Sequence, residues 1–379
     1  MKKFLVLLLA ALMVFSFAAC GGGGGGSDEG AADESGMKVA MVTDYGDITD
    51  QSFNQTTYEA CKAFCEENGV DFTYKKPASD STADRVSSIE EAIEEGYSVI
   101  VMPGYAFADA IYEVAPLYPD TKFVALDVSE GDLTAYGERE FDGPNVFSAV
   151  YQEEIAGYMA GYAAVKLGYT KLGFLGGMAV PAVQRYGHGF VQGADAAAGE
   201  AGVDGVEIKY VYGGQFFGDA DITAAMDTWY SQGTECVFAC GGGIYTSAAE
   251  AAAKVGGKVI GVDVDQAGII DGAYGEGMTV TSAMKGLGAT VNTLLSAIRD
   301  DNWGEYAGQI KNLGLVSETP ADNYVQLPES TQWADGFQQA DYEQLVKELF
   351  SGERTVSADT EKIPAVSNIK VDDQGAIKG

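Results

Sequence analysis

Short apolar runs alternate with segments of helical periodicity along residues 37–130. A run of about five apolar residues suits a strand that is buried on both faces, whereas apolar positions three or four apart suit a helix with one buried face. The pattern predicts strands at 38–42, 71–75, 98–102 and 122–126. It predicts helices between and after them at 54–68, 82–95 and 106–115. This alternation indicates a parallel sheet with helices on both of its faces.

The same alternation returns in residues 152–262, after a predicted amphipathic helix at 152–167. It predicts strands at 171–175, 206–211, 236–239 and 258–262, and helices at 183–198, 219–232 and 246–254. Two further strand-like segments, 278–284 and 309–316, flank a predicted helix at 287–299. We expect them to carry the chain between two lobes as a multi-strand hinge. The predicted fold class is α/β, with two doubly wound parallel-sheet lobes.

The first residues have the composition of an export signal. Lys2 and Lys3 precede an apolar stretch at 4–17, and Ala18-Ala19-Cys20 follows. A basic start, a short apolar stretch and small residues at a cleavage site are typical of a secretory signal. The segment also resembles a bacterial lipobox, with Phe17 where Leu is usual, and the resemblance implies that Cys20 carries a diacylglycerol and anchors the protein to the membrane. The alternative is an ordinary secretory signal with an incidental cysteine.

Six consecutive glycines at 21–26 and an acidic stretch up to residue 36 predict a flexible linker. The expected organisation has five parts, with no role assigned to the last: a lipoprotein signal peptide at 1–19, a lipidated cysteine and linker at 20–36, a first lobe at 37–148 plus 284–312, a second lobe at 149–283 plus 313–354, and a polar C-terminal tail at 355–379.

Charge and cysteine content exclude several classes of function. The 56 acidic and 23 basic residues give a net charge of −33, which argues against nucleic acid as a partner because its phosphates bind Lys and Arg. Beyond Cys20 the cysteines are Cys61, Cys65, Cys236 and Cys240, and the spacing favours buried free thiols over a metal site. The one histidine, His188, lies between two glycines and is expected in a turn or at the surface. We predict no metal and no cofactor.

Polar groups, aromatic rings and glycines gather where the predicted strands end. Because two facing sheets enclose a cleft at the carboxyl ends of their strands, these residues should meet there. They are Asp44, the segment 50–55, Asp127, Phe216, Phe217, Asp219, the glycines 241–243, Asp263, Asp265, Gln266 and Lys285. Each type can serve a nucleoside: carboxylates and lysine bind ribose, amides and carboxylates read a base edge, and aromatic rings stack on the base.

Four motifs resemble the basic membrane protein family of substrate-binding lipoproteins, which includes purine nucleoside receptors. They are the Ser-Phe-Asn-Gln segment within 50–55, Asp127 after its strand, Ile-Gly-Val-Asp-Val-Asp-Gln at 260–266 and Thr-Ser-Ala-Met-Lys at 281–285. The resemblance covers about residues 37–330. It implies a type I periplasmic-binding-protein fold and capture of a purine nucleoside for an ABC importer, whose permease and ATPase subunit are separate proteins.

The resemblance also implies roles for eight residues. Phe53 stacks on the base, Asn54 and Asp44 face its edge, and Asp127 lines the same cleft. Asp263 and Lys285 hold the ribose. The second stacking ring belongs to Phe217, with Phe216 possible, and Gly242 supplies a main-chain contact.

Two other readings of the cleft remain open at this stage. A sugar or small polyol could stack on Phe53 and Phe217, although sugar sites usually contain Arg and the candidate residues include none. A hydrolase of the N-glycosidic bond could use Asp263 and Asp265 as paired carboxylates, although no nucleophile motif accompanies them. A surface receptor without a transport role would share the same fold.

Overall fold

The computed structural model describes residues 36–44 and 46–378. The predictions for the signal peptide at 1–19 and for Cys20 therefore lie outside the described residues. The strands are β1 (Lys38–Val42), β2 (Asp71–Lys75), β3 (Val99–Pro103), β4 (Lys122–Leu126), β5 (Val146–Tyr151), β6 (Lys171–Gly176), β7 (Glu207–Tyr212), β8 (Cys236–Cys240), β9 (Lys258–Asp263), β10 (Thr279–Lys285), β11 (Gln309–Leu313), β12 (Val325–Gln326) and β13 (Lys370–Ala376).

Most of the strands are followed by an α-helix, which is the arrangement that a parallel sheet requires. The α-helices are α1 (Phe53–Asn68), α2 (Thr82–Glu94), α3 (Ala108–Val114), α4 (Glu130–Leu133), α5 (Glu153–Lys166), α6 (Pro181–Ala201), α7 (Ala220–Ser231), α8 (Tyr245–Ala253), α9 (Ala267–Tyr274), α10 (Leu287–Arg299) and α11 (Gln339–Phe350).

The strands form two sheets. The first has the order β11-β5-β4-β3-β1-β2, and the second has the order β12-β10-β9-β8-β6-β7-β13. The pairs are parallel apart from β10 with β12, which is antiparallel. The chain passes between the sheets after β5, after β10 and after β11. The predicted fold class, two doubly wound lobes joined by a multi-strand hinge, is confirmed.

Burial explains why the short apolar runs form central strands. Every residue of β3 and β8 is buried, as expected for strands covered by helices on both faces. The four cysteines Cys61, Cys65, Cys236 and Cys240 are buried and unpaired, as predicted. Among the described residues, no helix is long and apolar enough to cross a bilayer.

The expectation that the helix at 152–167 is amphipathic is wrong. α5 is buried on nearly its whole circumference, including the carboxylates Glu153 and Glu154 at its start. It lies between α6 and the strands β10 and β12, so it has no solvent face. The small residues in its sequence permit this close packing on several sides.

His188 is also placed differently from the prediction. It lies in the middle of α6, it is 2% exposed, and its Nδ1 is 2.8 Å from the carbonyl oxygen of Asp359. The glycines on either side do not form a turn. A Cβ atom at Gly189 would lie 2.0 Å from the carbonyl oxygen of Glu154, so glycine is needed there for the close approach of α5 and α6.

Several elements have no counterpart in the sequence prediction. They include β5, α9 and α11, and the polar segment 355–379 contains β13, which pairs with β7 at the edge of the second sheet. The numerical bounds of the two lobes stay a prediction.

Candidate functional site

The carboxyl ends of the two sheets enclose a cavity of about 560 Å³. Residues of both lobes line it. Open α/β sheets place their ligand sites at this position, beyond the carboxyl ends of the strands. The structure brings together all eight residues that the sequence predicted for the ligand site: Asp44, Phe53, Asn54, Asp127, Phe217, Gly242, Asp263 and Lys285. Asp265 and Asp219 from the wider set of strand-end residues are not among the lining residues.

Two aspartates occupy equivalent positions in the two lobes. Asp127 directly follows β4 and Asp263 ends β9, and both have left-handed backbone conformations, with φ of 61° and 66°. Such conformations are uncommon for residues other than glycine and cluster at functional sites. Here they accompany two carboxylates that line the cavity from opposite sheets, of which Asp263 is buried and Asp127 is largely buried.

Lys285, the last residue of β10, lies between these carboxylates. Its Nζ is 2.5 Å from Asp127 Oδ2 and 3.6 Å from Asp263 Oδ1, and the side chain is 3% exposed. Glu153 at the start of α5 approaches the same ammonium at 3.5 Å and accepts a hydrogen bond from Arg185 Nε at 2.7 Å. Two cations and three carboxylates therefore form one connected, buried network.

The network shifts the pKa values of its members. Burial raises the pKa of Asp127 and of Asp263, although the nearby Lys285 acts in the opposite direction. Burial acts to lower the pKa of Lys285, but Asp127, Asp263 and Glu153 outweigh it and the pKa is raised. The lysine is therefore charged at any physiological pH. One oxygen of Asp127, Oδ1, has no hydrogen-bond partner among the described residues and can accept a hydrogen bond from a ligand hydroxyl.

The start of α1 is organised by Asp50. Its carboxylate accepts hydrogen bonds from the main-chain N–H groups of Ser52, Asn54 and Gln55 at 2.9–3.0 Å. It also accepts one from Asn54 Nδ2 at 3.1 Å. Because a carboxylate can only accept, this contact orients the amide and leaves Asn54 Oδ1 without a partner within the described part of the chain. The buried Asn54 therefore offers an acceptor at the cavity.

Aromatic rings come from both lobes. Phe53 is half-buried, and Lys285 Nζ lies 4.5 Å from its ring centroid. Phe217 is 60% exposed, and its main chain forms a β-bridge with Gly243. Phe216 also lines the cavity, but it packs so closely on Gly177 that a Cβ atom there would lie 2.3 Å from its ring. Of these two neighbouring phenylalanines, Phe217 therefore has the more exposed ring at the cavity.

The structure adds lining residues that the sequence analysis missed. Arg185 and Tyr186 belong to α6. Glu153 of α5 is not a lining residue, but it forms an ion pair with Arg185. The cavity does contain an arginine, Arg185, although the candidate residues from the sequence include none. No strand end marks Arg185 and Tyr186, because their long side chains reach the cavity from a helix. Asp265 binds Ser330 at 2.8 Å instead of pairing with Asp263 in the cavity, so the geometry for paired carboxylates is missing there.

Two hydrogen bonds connect the lobes beside the cavity. Ser52 Oγ donates to Asp263 Oδ2 at 2.6 Å, and Gln266 Nε2 donates to the carbonyl oxygen of Gln51 at 3.0 Å. Gln51 and Ser52 precede α1 and belong to the first lobe, whereas Asp263 and Gln266 belong to the second. These contacts require that the lobes lie close together.

Comparison with known proteins agrees with this architecture. Residues 37–348 match the family model Bmp, described as ABC transporter substrate-binding protein PnrA-like. The chain is 30% identical over 246 residues to the ABC transporter nucleoside-binding protein BmpA of Lactococcus lactis, covering 62% of this chain and 65% of that protein, slightly less than two thirds of its length. It is 29% identical to the CD4+ T-cell-stimulating antigen of Listeria innocua, covering 75% of this chain and 80% of that protein.

A solved structure shares the fold. The ABC transporter system solute-binding protein from Aeropyrum pernix superposes with a TM-score of 0.64 at 22% identity, covering 86% of this chain and 88% of that one. The proteins of this family are substrate-binding components of ABC transporters and not enzymes. The hydrolase reading is therefore set aside. The match across both lobes shows that this chain belongs to the Bmp family of PnrA-like ABC transporter substrate-binding proteins.

Proposed function

We propose that this protein captures a purine nucleoside in the cavity between its lobes. In this proposal Phe53 and Phe217 stack on the base, Asn54 and Asp44 bind its edge, and Asp263 and Lys285 hold the ribose. Asp127 lines the same site, and Gly242 provides a main-chain contact.

The observation that carries the proposal is the combination of open aromatic surface with buried polar groups in one cavity. Phe53 and Phe217 lie on different lobes, so a flat base could contact both. The carboxylates around Lys285 are charge-assisted acceptors of the kind that bind vicinal hydroxyls. The name of the Lactococcus relative states nucleoside binding for that protein and supports the same ligand class here.

Transport would follow from closure of the lobes on the ligand. A ligand can favour the closed form only through contacts that differ between the open and closed forms, and the proposed residues come from both lobes. The closed protein would then dock on a membrane permease that a separate ATPase subunit drives. We further propose that Cys20 carries the lipid anchor on the extracytoplasmic face of the cell membrane, with residues 21–36 as the tether.

Calorimetric titration with inosine, guanosine, adenosine, uridine and ribose tests the ligand class, using protein refolded from denaturant to remove carried-over ligand. We expect sub-micromolar binding of the purine nucleosides. Phe53→Ala should weaken it about 5- to 150-fold, because base stacking contributes roughly 1–3 kcal/mol. Asp263→Ala should weaken it at least about tenfold, because a hydrogen bond to a charged group contributes about 1.5–3 kcal/mol.

Matched substitutions at exposed positions serve as controls. Phe350→Ala on α11 and Asp120→Ala before β4 should bind like the wild type. Full affinity in Phe53→Ala and Asp263→Ala would contradict the proposed site, and no binding of any nucleoside would contradict the ligand class.

A sugar is the second candidate ligand. It is favoured by the presence of Arg185 in the lining of the cavity. A guanidinium that lines the cavity could donate two hydrogen bonds to sugar hydroxyls. Against this, Arg185 already donates to Glu153 at 2.7 Å. Binding of ribose without binding of nucleosides would favour the sugar.

A further inference from the structure

The residues that follow α11 run along the second lobe and reach the loop that carries Phe217. We refer to residues 355–378 as the strap. It lies beyond the part of the chain that matches the family model, which stops at residue 348. The strap meets polar side chains of α6 at three points: Ser357 with Gln192, Asp359 with His188 and Asn368 with Asp195. The strap is therefore fastened to the lobe along its length.

The strap then adds the strand β13 to the edge of the second sheet. β13 runs parallel to β7, from Lys370 beside Glu207 to Ala376 beside Tyr212. The N–H of Ile377 donates to the carbonyl oxygen of Tyr212 at 2.8 Å, and Ile377 packs against the core of the lobe. The strap thus follows β7 to its last residue, where the loop at 213–219 begins.

Lys378 contacts that loop directly. Its Nζ forms an ion pair with Asp219 and lies 3.4 Å from Gln215 Oε1. Gln215 Nε2 in turn donates to the carbonyl oxygen of Phe217 and to Asp219 Oδ2, both at 2.9 Å. Asp219 also caps α7, because its Oδ1 accepts from the N–H groups of Asp221 and Ile222. Lys378 therefore joins the two side chains that hold the main chain at Phe217.

The opposite side of the loop is held by the glycines after β8. The N–H of Gly243 donates to the carbonyl oxygen of Phe216 at 2.9 Å, next to the β-bridge between Phe217 and Gly243. The Phe217 side chain is 60% exposed at the cavity, so its own packing restrains it little. Its position depends on its main chain, which is held by the glycines on one side and by Gln215, Asp219 and Lys378 on the other.

We propose that the strap positions the loop at 213–219, and that Lys378 is a positioning residue for Phe217 in ligand binding. The effect on ligand binding rests on the proposed function, whereas the effect on the loop does not. Without Lys378, Gln215 and Asp219 lose their shared cation, so the hydrogen bond from Gln215 to the main chain of Phe217 is held less firmly. The loop then samples more conformations, and binding must order it.

The test compares Lys378→Ala with Lys370→Ala, which removes the same charge at the exposed opposite end of β13. Hydrogen exchange of the amides at 213–219 is measured on protein without added nucleoside. We expect faster exchange there in Lys378→Ala and wild-type exchange in Lys370→Ala. Titration with guanosine should show about two- to fivefold weaker binding for Lys378→Ala alone, the range expected for a partly exposed ion pair.

Two further measurements separate positioning from general stability. Lys378→Arg, which keeps the charge, should restore exchange and affinity. The thermal midpoint without nucleoside should be the same in all variants. Unchanged exchange at 213–219 in Lys378→Ala would overturn the proposal, as would faster exchange with unchanged guanosine affinity. If the wild type binds no nucleoside, the proposed function fails, and the exchange measurement alone then decides whether the strap holds the loop.

Discussion

Glu154 lies beside Glu153 of the cavity network and forms no ion pair with any residue that the structure describes. It is 4% exposed, and its Oε2 has no hydrogen-bond partner among the described residues. Burial raises its pKa from the ordinary value of 4.5 to about 7, and the neighbouring Glu153 adds to the shift, while its own N–H and Arg185 oppose it. The folded protein therefore holds a proton here that the unfolded chain has released above pH 4.5.

This shift predicts a pH-dependent stability. Between pH 4.5 and 7 the folded state binds more protons than the unfolded state, so the free energy of unfolding falls as the pH rises and is lowest above pH 7. A shift from 4.5 to about 7 corresponds to about 3 kcal/mol, at about 1.4 kcal/mol per pKa unit. Glu154→Gln is neutral at every pH and should lack this component.

Urea unfolding of the wild type and of Glu154→Gln at pH 4.5, 6 and 7.5 measures the difference. We expect the wild type to lose stability relative to the variant as the pH rises. Glu94→Gln on the exposed face of α2 is the matched control, and it should follow the wild type. Parallel curves for the wild type and Glu154→Gln would mean that the buried carboxyl titrates normally.

At the scale of elements, the contact between α5 and α6 depends on four glycines: Gly157, Gly161, Gly189 and Gly193. A Cβ atom at any of them would lie 2.0–2.1 Å from a main-chain oxygen of the other helix. Neither helix can yield locally, because main-chain atoms of a buried helix move only with the whole helix.

We therefore predict that Gly161→Ala lowers the free energy of unfolding by roughly 1–3 kcal/mol or more, because overpacking outweighs the better helix propensity of Ala. Gly272→Ala on α9 is the matched control with the opposite sign. Nothing lies within 4 Å of its Cβ position, so the change should stabilise the protein by about 0.5–1 kcal/mol. Chemical denaturation of both variants measures these changes in the free energy of unfolding. If Gly161→Ala were as stable as the wild type, the two helices could move apart at little cost.

The glycines also show which features of the fold could not be predicted from the sequence. Apolar runs such as β3 and β8 were predictable, because burial on both faces requires apolar side chains throughout. The burial of α5 was not, since glycine and alanine do not distinguish a solvent face from a close helix contact. The strand-end residues of the cavity could be predicted from topology. Arg185 and its partner Glu153 could not, because they lie on helices and follow no predicted strand end.

At the scale of the whole molecule, the lobes are joined beside the cavity by side chains as well as by the hinge. Ser52 Oγ on the first lobe donates to Asp263 Oδ2 on the second at 2.6 Å, and both groups are buried. This bond exists only while the lobes lie together, so it favours the closed form over the open form. A hydrogen bond to a charged group contributes about 1.5–3 kcal/mol.

Removing this bond should change ligand release more than ligand encounter. Ser52→Ala should weaken nucleoside binding about tenfold or more, from the free energy of the lost bond, with most of the change in the dissociation rate. Stopped-flow kinetics with guanosine separates the two rates, and Ser296→Ala on α10, away from the cavity-lining residues, is the matched control. If Ser52→Ala slowed association and left dissociation unchanged, the bond would act on the open protein and not on closure. A faster dissociation with unchanged association would instead show that contacts between the lobes, and not the ligand alone, determine how long the protein stays closed.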